Sequence, residues 1–261
     1  MQIAASLAKD VYVDGLQPPI KVLGETLAGI LRAITHYPRL WGQVSEISLD
    51  EKTERFRKNL VEKVEAIPEE NRILPPPNIL GPSVQALEYG IFDDHLSDMF
   101  SALIANSMDS RLSNKLHPAF INVIPQLSPE EGRFLDSFRQ IKINLRTGNV
   151  ILPYIISNSS CANGHITEDA KFINSRLNDR DLYLSGSGIE NLLRLGLIYL
   201  KSTQINVPLQ YEKIEEYIES LNSGSDCSIC NTNFTTIYTY GHWGLSPFGR
   251  DFVLACIFGG V

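Results

Sequence analysis

The chain has 261 residues, enough for a large buried core in one domain or two modest ones. Its 43% hydrophobic and 20% charged content, with ten Tyr, eleven Phe and two Trp, excludes wholesale disorder. A formal charge of -7 opposes binding to nucleic acid by phosphate neutralisation, and neither half escapes that balance: residues 1–150 carry 16 Lys/Arg against 19 Asp/Glu, residues 151–261 carry 7 against 11.

Met1 to Asp14 lacks the basic start, apolar run and small-residue cleavage site of a secretory signal, so a cytoplasmic location is expected. In Val22–Ile34, Leu23, Leu27, Ile30, Leu31 and Ile34 share one helical stripe, which reads as core. Only six residues separate Glu25 from Arg32, far short of the roughly 20 apolar residues of a spanning helix. The sharper reading of residues 22–34 is a segment that docks on a membrane or a partner, although its polar face carries little Lys or Arg.

Ser48–Ile67 predicts a charged helix with Phe56, Leu60, Val64 and Ile67 as its buried side, and with Glu51/Arg55, Glu54/Lys58 and Lys58/Glu62 as pairs four apart. Pro68 ends it, and Leu74 to Pro77 with Gly81 and Pro82 predicts a stiff connector. Pro82 then opens a helix with Val84 and Leu87, and Asp93 and Asp94 open another with Leu96, Met99, Phe100 and Leu103. Phe120, Ile121 and Ile124 begin a further apolar face. The pattern Ser128-Pro129-x-Glu131 is a capping box for a helix carrying Phe134, Leu135, Phe138 and Ile141.

After Gly148 the character changes. Val150–Ile156 is rich in β-formers, Gly188–Leu195 reads as a helix running through Gly196 into Leu197–Leu200, and Tyr211–Leu221 as an acidic helix. Phe234–Tyr240 reads as strand and Pro247–Cys256 as a closing helix. The expected fold is therefore mainly α: a helical N-terminal domain, 1–147, followed by a small α+β winged-helix-like module, 148–261. The helix that would enter a DNA groove, Gly186–Gly196, has only Glu190 and Arg194 as charges, which favours packing or protein contact over DNA reading.

The series Ile67-Pro68-Glu69-Glu70-Asn71, Glu88-Tyr89, Ser107-Met108-Asp109-Ser110-Arg111, His117-Pro118-Ala119-Phe120, Gln126-Leu127-Ser128-Pro129 and Leu245-Ser246-Pro247-Phe248-Gly249-Arg250-Asp251-Phe252 with Ala255-Cys256 resembles the abortive-infection alpha family of bacterial proteins. The resemblance runs from about residue 10 to the end. It implies a role in phage defence, in which an infected cell halts growth or dies before virus is released, and it carries over no reaction and no site residue. The Ser-, Asn- and Cys-rich stretch Asn222–Asn233 stands outside it.

Two constellations could carry chemistry. Arg111 and His117 have the Arg-x(4 to 6)-His spacing of a class of helical RNA-cleaving toxins, in which the pair activates a ribose hydroxyl and stabilises charge on phosphate. The structural alternative is that His117, before Pro118, caps backbone groups and that Arg111 binds Asp98, Asp109 or a helix end. Cys227 and Cys230 form a Cys-x-x-Cys knuckle, half a zinc site that Cys161 and His165 would complete if their loops converge; otherwise these are reduced thiols. Gly186, Gly188 and Ser223–Ser225 lack a phosphate-binding pattern, Ser159 and Ser160 lack a nucleophile elbow, Asp93 and Asp94 are explained as helix-end carboxylates, and His36, His95 and His242 stand alone. No catalytic, cofactor or metal residue is assigned. The reading is a phage-defence protein that binds a protein partner or phage component, with room for self-association; its rivals are a ribonuclease through Arg111 and His117 and a membrane effector through residues 22–34.

Overall fold

A computed structural model of the chain describes residues 28–29, 46–140, 151–161, 171–174, 184, 186–205, 211–212, 214–216 and 234–258. The described residues are mainly helical and include an antiparallel sheet. They fall into two compact units, Met1–Gly132 with Asp251–Val261, and Arg133–Arg250. The expected boundary at 147/148 lies outside the described residues, as do Ile141 and all of Val22–Ile34 except the helical Ala28 and Gly29.

In the first unit, α1 (Glu46–Glu65) is the expected charged helix, with Phe56, Leu60 and Val64 buried on one stripe. Arg72 closes its end, donating from Nε to the Ile67 carbonyl at 2.8 Å and from Nη2 to the Glu65 carbonyl at 2.9 Å, so one carbonyl of the last turn and one just past it find donors. Its surface pairs differ from the i,i+4 expectation. Glu54 takes Arg57, three residues on, and Lys52 and Arg55 both reach Asp94 on another helix, because a long side chain can satisfy a carboxylate on a neighbouring element as readily as on its own.

The Pro-rich connector is shorter than expected. Helix α2 (Pro77–Gly90) starts at Pro77 and contains Pro82. Pro77 sits where the missing N–H is not needed, and Pro82 lies in the second turn, where a single intrahelical bond is forgone. Helix α3 (Asp94–Ser107) is capped by the Asp93 carboxylate, which accepts from the His95 and Leu96 amides, both at 3.0 Å. From Leu96 to Ser107 every residue but Asp98 is buried, so α3 is the axis of this unit rather than a one-sided helix. Two of its buried hydroxyls are satisfied along the helix itself: Ser101 donates to the Asp98 carbonyl at 2.8 Å and Ser107 to the Ile104 carbonyl at 2.7 Å. A short helix, α4 (Phe120–Val123), follows, and Phe120 meets Phe252 edge-on at 5.5 Å. The buried Asn106 amide donates to the Ala255 carbonyl at 2.6 Å, tying the C-terminal segment to α3.

Helix α5 (Pro129–Asp136) has its capping box: the Ser128 amide donates to Glu131 Oε2 at 2.8 Å and the Glu131 amide to Ser128 Oγ at 3.3 Å. A 3-10 turn, Ser137–Gln140, continues it and carries the expected Phe138. In the second unit, Phe134 and Phe138 pack on Trp243, with ring centroids 5.4 and 6.2 Å away.

The sheet has the order β2-β1-β4-β3, all antiparallel, with β1 Ile151–Cys161, β2 Lys171–Asn174, β3 Ile198–Lys201 and β4 Phe234–Leu245. Strands β1 and β4 run longer than their sequence signals, pairing from Ile151↔Gly244 to Cys161↔Phe234. Polar Asn158, Ser159 and Ser160 continue the strand because Ile237, Thr236 and Thr235 face them, and cross-strand pairing outweighs weak intrinsic preference. Gly241 is required in β4: a Cβ there would lie 2.4 Å from the Tyr154 ring and 2.5 Å from the Lys201 carbonyl oxygen. Residues 211–212 and 214–216 are helical, within the expected Tyr211–Leu221 element.

Helix α6 (Gly186–Arg194) ends at Gly196, whose φ of 71° suits glycine; the Leu197 amide donates to the Leu192 carbonyl and the Gly196 amide to that of Leu193, each at 2.9 Å, a two-bond left-handed stop. That turn meets the start of α7 (Pro247–Cys256). Ser246 accepts from the Gly249 amide at 2.8 Å, donates its own hydroxyl to the Gly196 carbonyl, and its amide donates to the Leu197 carbonyl at 3.0 Å. A Cβ on Gly249 would sit 1.8 Å from the Leu197 oxygen, so the joint excludes any side chain there.

Candidate functional site

Arg111 and His117 lie on the segment that follows α3, after a turn held by a bridge between two stretches of the chain, Arg72 opposite Asp109. The Ile73 amide donates to the Met108 carbonyl and the Ser110 amide to the Asn71 carbonyl, both at 2.9 Å, so residues 71–73 and 108–110 hold each other. Asp109 faces inward and is fully buried. Its carboxylate accepts from the Arg111 amide at 2.9 Å, from Arg111 Nε at 2.9 and 3.1 Å, and from Arg111 Nη2 at 2.6 Å. This fork holds the Asp109 carboxyl below its ordinary range, chiefly through the side-chain hydrogen bonds from Arg111 and against the opposing effect of burial. The same bonds raise the Arg111 guanidinium, with a smaller contribution from Glu70.

His117 is exposed, and its Nδ1 accepts from the Ala119 amide at 3.1 Å just ahead of α4. Its ring also stands 6.0 Å from that of Phe120. Both residues therefore occupy the local roles the structural alternative gives them: the arginine neutralises a buried carboxylate and the imidazole caps a turn. What the turn can do chemically is hold backbone in shape. The outer face of the Arg111 guanidinium remains accessible, since its side chain is 43% exposed.

The other singled-out groups lie apart from this turn. Asp93 is the cap of α3, and Asp94 is held down by hydrogen bonds from Lys52 and then from Arg55, so the two do not act as a metal pair. His242, buried in β4, bonds through Nδ1 to the Thr203 carbonyl at 2.6 Å and meets Tyr199 edge-on. Cys256 is buried, and that burial pushes its thiol well above the usual cysteine range. Among the described residues, no three His, Cys, Asp or Glu groups gather as a metal site would require. Cys161 ends β1; His165, Cys227, Cys230 and His36 lie outside the described residues. No helix among the described residues is long and apolar enough to cross a membrane.

One set of residues was missed as a structural device. Leu245-Ser246-Pro247-Phe248-Gly249 reads in hindsight as Ser at the helix cap, Pro at the first helical position and Gly where another backbone comes close, which is the Gly196–Leu197 joint described above. Four of the other short motifs are joints of the same kind. Asn71 and Ser110 belong to two of them and bond to each other, Phe120 of a third packs on Phe252 of the last, and Ser128 of a fourth caps α5.

Helices packed around a buried axis, an antiparallel sheet and a series of short capped joints define a mainly helical α+β protein whose recognisable motifs bear on shape. A family model, abortive infection alpha, matches residues 46–256, and the chain belongs to that family. No curated protein and no solved structure matches it.

Proposed function

We propose that this chain serves abortive infection from the cytoplasm by binding a protein, a host partner or a phage component, and not by a reaction of its own. The observation that carries this reading is the use made of Arg111 and His117: one is forked onto buried Asp109 and the other caps the Ala119 amide. A general base and a phosphate-stabilising cation need freedom to meet a substrate, and these two groups are already employed in local structure. The family's association with abortive infection supplies the setting. In the same reading α6, β3 and β4 form the core of a winged-helix-like module used for protein contact. Its helix offers Glu190 and Arg194 as charged groups, and Arg194 is drawn back onto Asn191 by bonds of 2.6 and 3.1 Å.

The test uses substitutions that spare the turn. His117→Asn keeps an acceptor for the Ala119 amide while removing the imidazole, and Arg111→Lys keeps a cation beside Asp109. Cells carrying the wild type, or the double variant at equal protein level, are infected, and phage yield and total RNA integrity are followed together. Undiminished protection by the double variant, with RNA intact in both strains, is the expected result. RNA cleavage by the purified wild type that the double variant lacks would replace this reading with the ribonuclease.

A further inference from the structure

We draw no further inference here: the strongest candidate, the outer edge of β4 from Phe234 to Gly241, which lies beyond the stretch His242–Leu245 paired with β3, carries nothing because nothing in the structure shows what covers it.

Discussion

Helix α3 and the β1–β4 ribbon each run through the middle of their unit, and they are held by different forces. In α3 the apolar side chains Leu96, Met99, Phe100, Leu103 and Ile104 and the small Ala102 and Ala105 are buried, so the helix rests on side-chain burial from every side. The ribbon rests on a backbone ladder that continues through side chains with little to bury, from Asn158 to Ser160. The lesson is that damage to the helical axis should be paid in packing, whereas damage to the ribbon and its neighbours should come from backbone approach and register.

The largest effect expected from this contrast is at the axis. Phe100→Ala opens a cavity beside Gly90, where an added Cβ would come within 2.9 Å of the ring, and should cost about 3–5 kcal/mol in urea unfolding followed by circular dichroism. A cost under about 1 kcal/mol would mean that α3 is not the buried axis described. On the sheet side, Gly249→Ala drives a methyl into the Leu197 carbonyl and should cost about 1–3 kcal/mol, although it adds apolar surface rather than removing it. An unchanged midpoint would break the claim that backbone approach governs that joint.

A polar turn sharpens the comparison from a third direction. Asp109→Ala leaves Arg111 without its carboxylate and the turn amide without an acceptor, and a loss of about 2 kcal/mol is expected at neutral pH. Because the folded-state pKa of Asp109 is lowered, its stabilisation is present above the ordinary aspartate value of about 3.9 and is lost as pH falls through the folded value. The gap in midpoint between wild type and Asp109→Asn should therefore be steady near neutrality and shrink in acid below that value; a gap independent of pH would show that the ion pair contributes nothing. The smallest effect is at α5, where Ser128→Ala removes one half of the capping box for about 1 kcal/mol. Its partner change, Glu131→Ala, should be less than additive with it, since the two bonds form one motif.

Much of this was legible along the chain because local rules act over three or four residues. The stripe of Phe56, Leu60 and Val64, the Ser128/Glu131 box, the Asp93 cap and the Gly196 stop each depend on spacing alone, and the structure places them as their spacing implies. The reach of α2 back to Pro77 was not legible, since prolines signal a break and only the position of each within the first turns decides whether a helix tolerates it. For the candidate site, the pairing of Arg111 with Asp109 and the capping by His117 were among the readings the residues allowed. The choice between capping and catalysis needed the bridge from Met108 and Ser110 to Ile73 and Asn71, far upstream in the chain.

By itself the sequence determined the caps of α3 and α5, the alternation from a helical first half to a mixed second half, and the membership of a family associated with abortive infection. Only the tertiary structure decided that α3 is buried all round, that Gly249 must be bare, and that Cys161 faces Phe234 across the ribbon. The physical reason is range: caps and stripes are settled by neighbours in the chain, whereas burial, close approach and register are settled by segments that sequence distance keeps apart and folding brings together.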